Sequence, residues 1–339
     1  MREEASIKEW GRLYEVATRI KEKKPWEQFW DMDLIAIRKN PADDNDIVFI
    51  SIMGKGGECY GISVYEGYRG LNDYIMLATG EQMNLTTEYI LYSQHCLTCY
   101  WGNGDELSEE QKEIIKELGY KYQGKNQWLY FMSFLPGYYP FNFNRSEVER
   151  MIGYLENLEK ALIYYEESKI NVDFSKGNFY LFGWNEEEKK WEGREQQLPF
   201  TSYQLGSLMI NNEEVIKNLK KVPKNQQILQ ADIIYMGVSV NGEKGDRPEN
   251  PRLCLIGEKD SRAILRSDMA GVEEEACMIL AETMVNLIFE SGAPEEIQVS
   301  NVITESVLKP LCEICGICLK RVKKLTAIDD FQEKMGGVS

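Results

Sequence analysis

The clearest periodicity opens the chain. Ile7, Trp10, Leu13, Val16 and Ile20 recur at three- and four-residue intervals, which predicts a helix over residues 5–22 that Pro25 ends. Two apolar runs follow, Leu34 to Ile37 and Ile47 to Met53, separated by the turn signal Asn40-Pro41-Ala42-Asp43-Asp44-Asn45. Gly54-Lys55-Gly56-Gly57 then turns the chain back into Cys59 to Tyr65, the second strand of a hairpin. Helical spacing returns at Tyr68 to Leu77 and at Ser108 to Leu118. In the latter, Ser108 and Gln111 form a capping-box pair and Gly119 is the stop. Trp128 to Leu135 reads as a buried strand closed by Pro136-Gly137. Ser146 is the expected cap of a long helix carrying Val148, Met151, Ile152, Leu155, Leu158 and Leu162.

The middle is more polar. Asn178 to Trp184 and Trp191 to Leu198 flank the charged run 185–190 and predict an exposed hairpin, and Asn212 to Lys221 a polar helix that Val222-Pro223 breaks. From Ile228 onward strands and helices alternate: strands at 228–240, 252–257 and 262–266, a helix at 273–290, a strand at 297–299, a helix at 302–315 stopped by Gly316, a strand at 317–322, and a last helix from Thr326. Between the first two of these strands lies the loop Asn241 to Pro248. Such alternation indicates βαβ connections. The expected fold class is therefore mixed α/β in two units, the second with a ββαβα-like order. The expected divisions are 1–170, a hairpin and helix connector at 171–227, and 228–339.

With 339 residues, 43% of them apolar, the chain has ample material for two cores. Its net charge of −16 repels polyanions and anionic membranes, so nucleic acid is a disfavoured partner. The one basic patch, Lys320, Arg321, Lys323 and Lys324, reads as a solvated strand end. No apolar stretch reaches the roughly 18 residues a membrane helix needs, and the charged first ten residues contain no signal-peptide core. Eight cysteines without such a signal fit reduced thiols in a cytoplasm.

The cysteines are also the most tempting chemistry. Cys312, Cys315 and Cys318 spell C-x-x-C-x-x-C, and Cys96 and Cys99 spell C-x-x-C beside the only histidine, His95. Thiolates so spaced hold metals where a turn lets the sulfurs converge. Here Cys312 and Cys315 end a helix and Cys318 begins a strand, so packing is the favoured reading and metal or redox work the alternative. Gly54-Lys55-Gly56-Gly57 lacks phosphate-loop spacing and leads into a strand. Trp30, Asp31 and Asp33 are the speculative ligand-binding residues, with Glu58 and Glu66 as possible additions to a carboxylate cluster. Glu258, Asp260, Asp268 and Glu296 sit near strand ends in the last third. Aromatic clusters at Trp26/Phe29/Trp30 and Tyr138/Tyr139/Phe141/Phe143 could stack a ligand, with core packing preferred. No catalytic constellation and no cofactor fingerprint is complete, and no cofactor is expected.

Two stretches resemble a family of bacterial proteins carrying paired domains of unknown function. One is Trp30-Asp31-Met32-Asp33 with Met53-Gly54, Gly61 to Tyr65, Gly67 and Gly70-Leu71. The other is Gly292 to Val299 with Leu308, Leu311, Gly316-Ile317 and Leu325 to Asp329. The resemblance implies a bacterial cytosolic protein with an α/β C-terminal domain and supplies no catalytic residue. The strand–helix order of the second unit is also loosely reminiscent of the ribonuclease-H-like arrangement, whose nucleases place a carboxylate inside the first strand. Taking Leu253-Cys254-Leu255-Ile256 as that strand leaves it without one. The leading expectation is a non-catalytic binding or interaction module for a protein or small-molecule partner. The alternatives are a metal-dependent hydrolase or nuclease using clustered carboxylates, and a cysteine metal or redox site.

Overall fold

The computed structural model describes residues 2–43, 45–240 and 246–336. Asp44 of the first turn and residues 241–245 of the loop between Val240 and Pro248 lie outside them. The opening helix α1 (Ile7–Lys23) begins at Ser6, whose hydroxyl accepts from the Glu9 N–H while the Glu9 carboxylate accepts from the Ser6 N–H. Then come β1 (Ile35–Arg38), β2 (Ile47–Met53), β3 (Gly61–Glu66), α2 (Gly67–Thr79), α3 (Thr87–Ser93), β4 (Cys96–Gly102), α4 (Glu109–Glu117), β5 (Trp128–Phe134) and α5 (Arg145–Glu167). The hairpin β6 (Asn178–Asn185) and β7 (Lys190–Gln197) closes the first unit.

These strands form one sheet in the order β5-β4-β3-β2-β1-β6-β7, in which only β1 and β6 pair in parallel. The hairpin expected in a connector at 171–227 is thus part of the first sheet. Its strand β6 carries Phe179, Tyr180, Leu181 and Phe182, all buried, because both faces of the sheet are covered there. One face packs under α1, α4 and α5, with Ile35, Ile37, Ile50, Ile52 and Val64 pointing to it. The other packs under α2 through Ala36, Ile47, Phe49 and Tyr65. The cap of α5 is Asn144 rather than Ser146. Glu147 supplies the reciprocal bond to the Asn144 N–H, and its further contacts with Ser133 and Arg247 select this earlier register.

The short α6 (Glu213–Leu219) leads into the second unit: β8 (Ile228–Tyr235), β9 (Arg252–Glu258), β10 (Ile264–Ala270), α7 (Ala276–Ser291), β11 (Glu296–Val299), α8 (Val302–Cys315), β12 (Cys318–Arg321) and α9 (Thr326–Gly336). Its sheet runs β10-β9-β8-β11-β12, with β8, β11 and β12 parallel and β9 and β10 antiparallel to their neighbours. Alternate residues of β9 face opposite layers: Cys254 and Ile256 meet α7 and α8, while Leu253 and Leu255 meet α9. The chain is therefore a mixed α/β protein with two mixed sheets. The first strand of the second unit is β8, not the Leu253 to Ile256 run of β9, and β8 does carry a buried carboxylate, Asp232. No helix among the described residues is long and apolar enough to cross a membrane.

The units meet along α2, α3 and the N-terminal ends of α7 and α8. Met76, Leu85 and Ile303 are buried together there, with Tyr89, Tyr203 and Cys277 packed around them. A second tie comes from the segment after β8. The Tyr139 N–H donates to Pro248 O at 3.0 Å, the Asn250 N–H to Gly137 O at 2.7 Å, and Arg247 reaches the buried Glu147 carboxylate at 3.0 Å.

Candidate functional site

A cavity of about 370 Å³ opens where the two units meet. Helix α2 contributes Arg69 and, one turn on, Asp73; α3 contributes Tyr89; β9 contributes its first residue, Arg252; and α7 contributes its first turn. Helix α3 exists because Thr86 caps it, accepting from the Tyr89 N–H at 3.1 Å. That cap turns Tyr89 inward, where its ring meets Tyr235 edge-on with centroids 6.0 Å apart.

Two guanidinium groups, Arg69 and Arg252, and two carboxyl groups, Asp73 and Glu275, line this cavity. Arg252 donates through Nη2 to Gly271 O at 2.9 Å and Glu274 O at 2.6 Å, which fixes the loop before α7. Its buried Nε has no acceptor. Among the described residues Arg69 makes neither an ion pair nor a hydrogen bond through its side chain, and neither arginine touches a carboxylate. At the start of α7 the residue in the capping position, Glu275, makes no side-chain cap, so the Ala276 and Cys277 N–H groups are without acceptors among the described residues. Burial pushes the Asp73 carboxyl up to about 7, against the opposing pull of the His95 N–H and of Arg69. Burial likewise pushes the Cys277 thiol up to about 11, so it stays protonated near neutrality.

Tyr89 and Ile233 also line a second, more polar cavity of about 450 Å³ at the carboxyl ends of β8 and β11. Asp232 stands at its wall. One carboxylate oxygen accepts from the Ile233 N–H at 2.8 Å, Asn301 Nδ2 at 3.0 Å and Thr304 Oγ1 at 3.3 Å, and the other from the Ser300 hydroxyl. Asn301 in turn caps α8, accepting from the Ile303 and Thr304 N–H groups at 3.0 Å each. Desolvation raises the Asp232 pKa, and these donors oppose it. The carboxylate is thus used in holding the β11–α8 junction to β8.

The residues singled out in sequence are placed elsewhere. Trp30 is 52% exposed, with the Lys55 ammonium 5.2 Å from its ring. The Asp33 carboxylate accepts from the Trp30 N–H at 2.8 Å, and the Asp31 carbonyl from Ser51 and Tyr74. These three residues form a surface turn that lines neither cavity at the seam. Glu66 is held apart from them by Arg150 and Tyr154. Cys96 and Cys99 lie on opposite faces of β4, in different cores, so they cannot share an ion. Cys312 and Cys315 are buried in the core beside α7, and Cys318 is exposed on β12. The late carboxylates are dispersed: Asp268 accepts from Thr283, Glu296 pairs with Lys320, and Glu258 accepts from the N–H groups of its own turn. Among the described residues no three His, Cys, Asp or Glu side chains are grouped to hold a metal. Sequence reasoning missed Arg69, Asp73, Tyr89 and Arg252. The capping threonine at 86 was the one local signal for α3.

Residues 10–181, just over half of the chain, match the model of a family described as "Domain of unknown function (DUF7309)". The chain belongs to the DUF7309 family. Behind that unit, residues 215–336 match a second model, "Domain of unknown function (DUF6930)", so the pairing of two such domains holds. The DUF7309 boundary falls inside β6 and so leaves out the edge strand β7. No curated protein matches the chain. One solved chain, from "CryoEM structure of simian T-cell lymphotropic virus intasome in complex with PP2A regulatory subunit B56 gamma", is 13% identical over 35% of this chain and 42% of its own, with a TM-score of 0.25. A likeness that weak carries no argument.

Proposed function

We propose that this protein is a non-catalytic binding protein of a bacterial cytoplasm whose inter-unit cavity takes a small anionic molecule, one bearing a carboxylate or a phosphate. The observation that carries the reading is the convergence of Arg69, Arg252 and the uncapped start of α7 on one cavity, where neither guanidinium forms an ion pair among the described residues. Helix N-termini and guanidinium groups both favour negative charge, and a guanidinium suits planar, two-point recognition of carboxylate or phosphate. Binding between two units also gives the ligand a means of changing how they sit, which suits an interaction module. The strongly acidic surface supports a small ligand over a nucleic-acid polymer.

The carboxylate-nuclease alternative has less support. Its required first-strand acid is present as Asp232, but that carboxylate is already bonded to four donors, and among the described residues no three carboxylates are grouped to hold a metal. Calorimetric titration with inorganic phosphate and with succinate tests the proposal. Saturable binding of at least one, weakened tenfold or more in Arg69→Met and in Arg252→Met, supports it. Heats of dilution alone for both anions would sink it.

A further inference from the structure

The aromatic cluster around Trp26 makes a further cleft, which shares no lining residue with the two cavities at the seam. Two cavities, of about 250 and 470 Å³, share Tyr60, Trp101, Lys125 and Asn126 in their walls. Trp26 lies between Tyr60 and Trp101, with ring centroids 5.0 and 5.3 Å away. Trp101 is 1% exposed, and its indole N–H has no acceptor. An indole N–H is a donor only, and a buried one normally finds a partner. The Trp101 side chain itself stands in the shared wall of the two cavities, with its indole nitrogen covered by protein.

Several features shape this wall for occupancy rather than for packing alone. Gly54, at φ +126°, lets the Tyr60 ring lie where any Cβ would come within 2.5 Å of it. Lys24, in the left-handed cap of α1, and Cys59 and Asn126, with φ of 52° and 57°, turn the backbone at the rim of these cavities. The charged groups cancel: Lys21, Lys24 and Lys125 face Glu27, Glu58 and Glu106. Planar polar groups fill the gaps. Glu106 accepts from the Tyr130 hydroxyl at 2.8 Å and from Asn103 at 2.7 Å, and Gln127 from Lys21 at 2.8 Å.

We propose that this cleft binds a neutral carbohydrate. Aromatic faces suit the C–H face of a sugar ring, and carboxylate and amide groups pair with its hydroxyls, each of which both donates and accepts. Balanced charge disfavours a phosphorylated or otherwise ionic ligand. The site is independent of the cavity at the seam.

Calorimetry and tryptophan fluorescence with glucose, galactose, mannose, N-acetylglucosamine and their linear disaccharides provide the test, with AMP as a flat, charged control. Saturable binding of at least one neutral sugar and none of AMP is the expected result. Glu106→Gln, which keeps the side-chain shape, and Tyr60→Ala each weaken it tenfold or more, whereas Arg69→Met leaves it unchanged. Three results overturn the proposal: no sugar response, AMP as the preferred ligand, or sugar binding undiminished in both Glu106→Gln and Tyr60→Ala.

Discussion

Replacing Arg247 by methionine removes the most deeply buried charge joining the two units while keeping most of the side-chain bulk. The Arg247 side chain is 10% exposed and that of Glu147 5%, with 3.0 Å between Nη2 and Oε1. Removing one member of a buried pair typically costs about 3–5 kcal/mol, because the other charge stays buried and underpaired. Glu147 keeps the Ser133 hydroxyl at 2.6 Å and the Asn144 N–H at 2.8 Å, which places the loss near the lower end. Loss of the contact with the Tyr138 ring, 5.9 Å away, adds roughly 0.5–1 kcal/mol. The expected total is about 3–4 kcal/mol. All seven tryptophans lie in the first unit, so their fluorescence reports that unit alone while circular dichroism reports both. In urea the wild-type curves by the two probes should coincide, and those of Arg247→Met should shift to lower urea and separate. A loss below about 1 kcal/mol with coincident curves would refute the view that this pair couples the units.

Asp73 gives a pH signature. Its folded pKa, raised by burial to about 7, means that between pH 4 and 7 the folded state keeps a proton the unfolded chain has released, so its contribution to stability falls as pH rises through that window. Asp73→Asn should match wild type at pH 4 and exceed it by about 1–3 kcal/mol at pH 8 in thermal or urea unfolding, allowing for the solvent in the cleft. Asp232→Ala leaves the Ser300, Asn301 and Thr304 donors unmet and should cost about 3–5 kcal/mol, while Mg²⁺ leaves wild-type melting unchanged. An unaffected Asp232→Ala melt together with stabilisation by Mg²⁺ would make that carboxylate a metal ligand instead. Cys59 and Cys318 are the exposed thiols and should react quickly with a disulfide reagent, whereas buried Cys96, Cys99, Cys254, Cys312 and Cys315 should wait for unfolding.

Much of the scaffold was legible because its signals are local. The periodicity of α1, the capping pair at Ser108 and Gln111, and the Gly316 stop each act within a few residues, and the structure uses all three. The hairpin 178–197 was misplaced because its parallel pairing with β1 spans some 140 residues, a long-range contact with no local mark. Asp232 was passed over for a related reason. A carboxylate in an apolar strand is tolerated only through Ser300, Asn301 and Thr304, nearly seventy residues on. The cavity at the seam was the least legible feature, since Arg69 and Arg252 lie on different units and line one cavity only once the two units are packed together. At the cysteine run the local signal was the helix end at Gly316, and Cys312 and Cys315 of that helix are buried in the core.

An anion bound in the proposed site would meet both Arg69 and Arg252. The Nε–H resonances of these two side chains, followed by nitrogen-15 NMR during titration with inorganic phosphate and then succinate, test it at the atoms concerned. Both should shift together along one saturable curve, because both arginines line the same cavity. Resonances that stay fixed while either anion binds elsewhere, or that move only in proportion to ionic strength, would contradict the account.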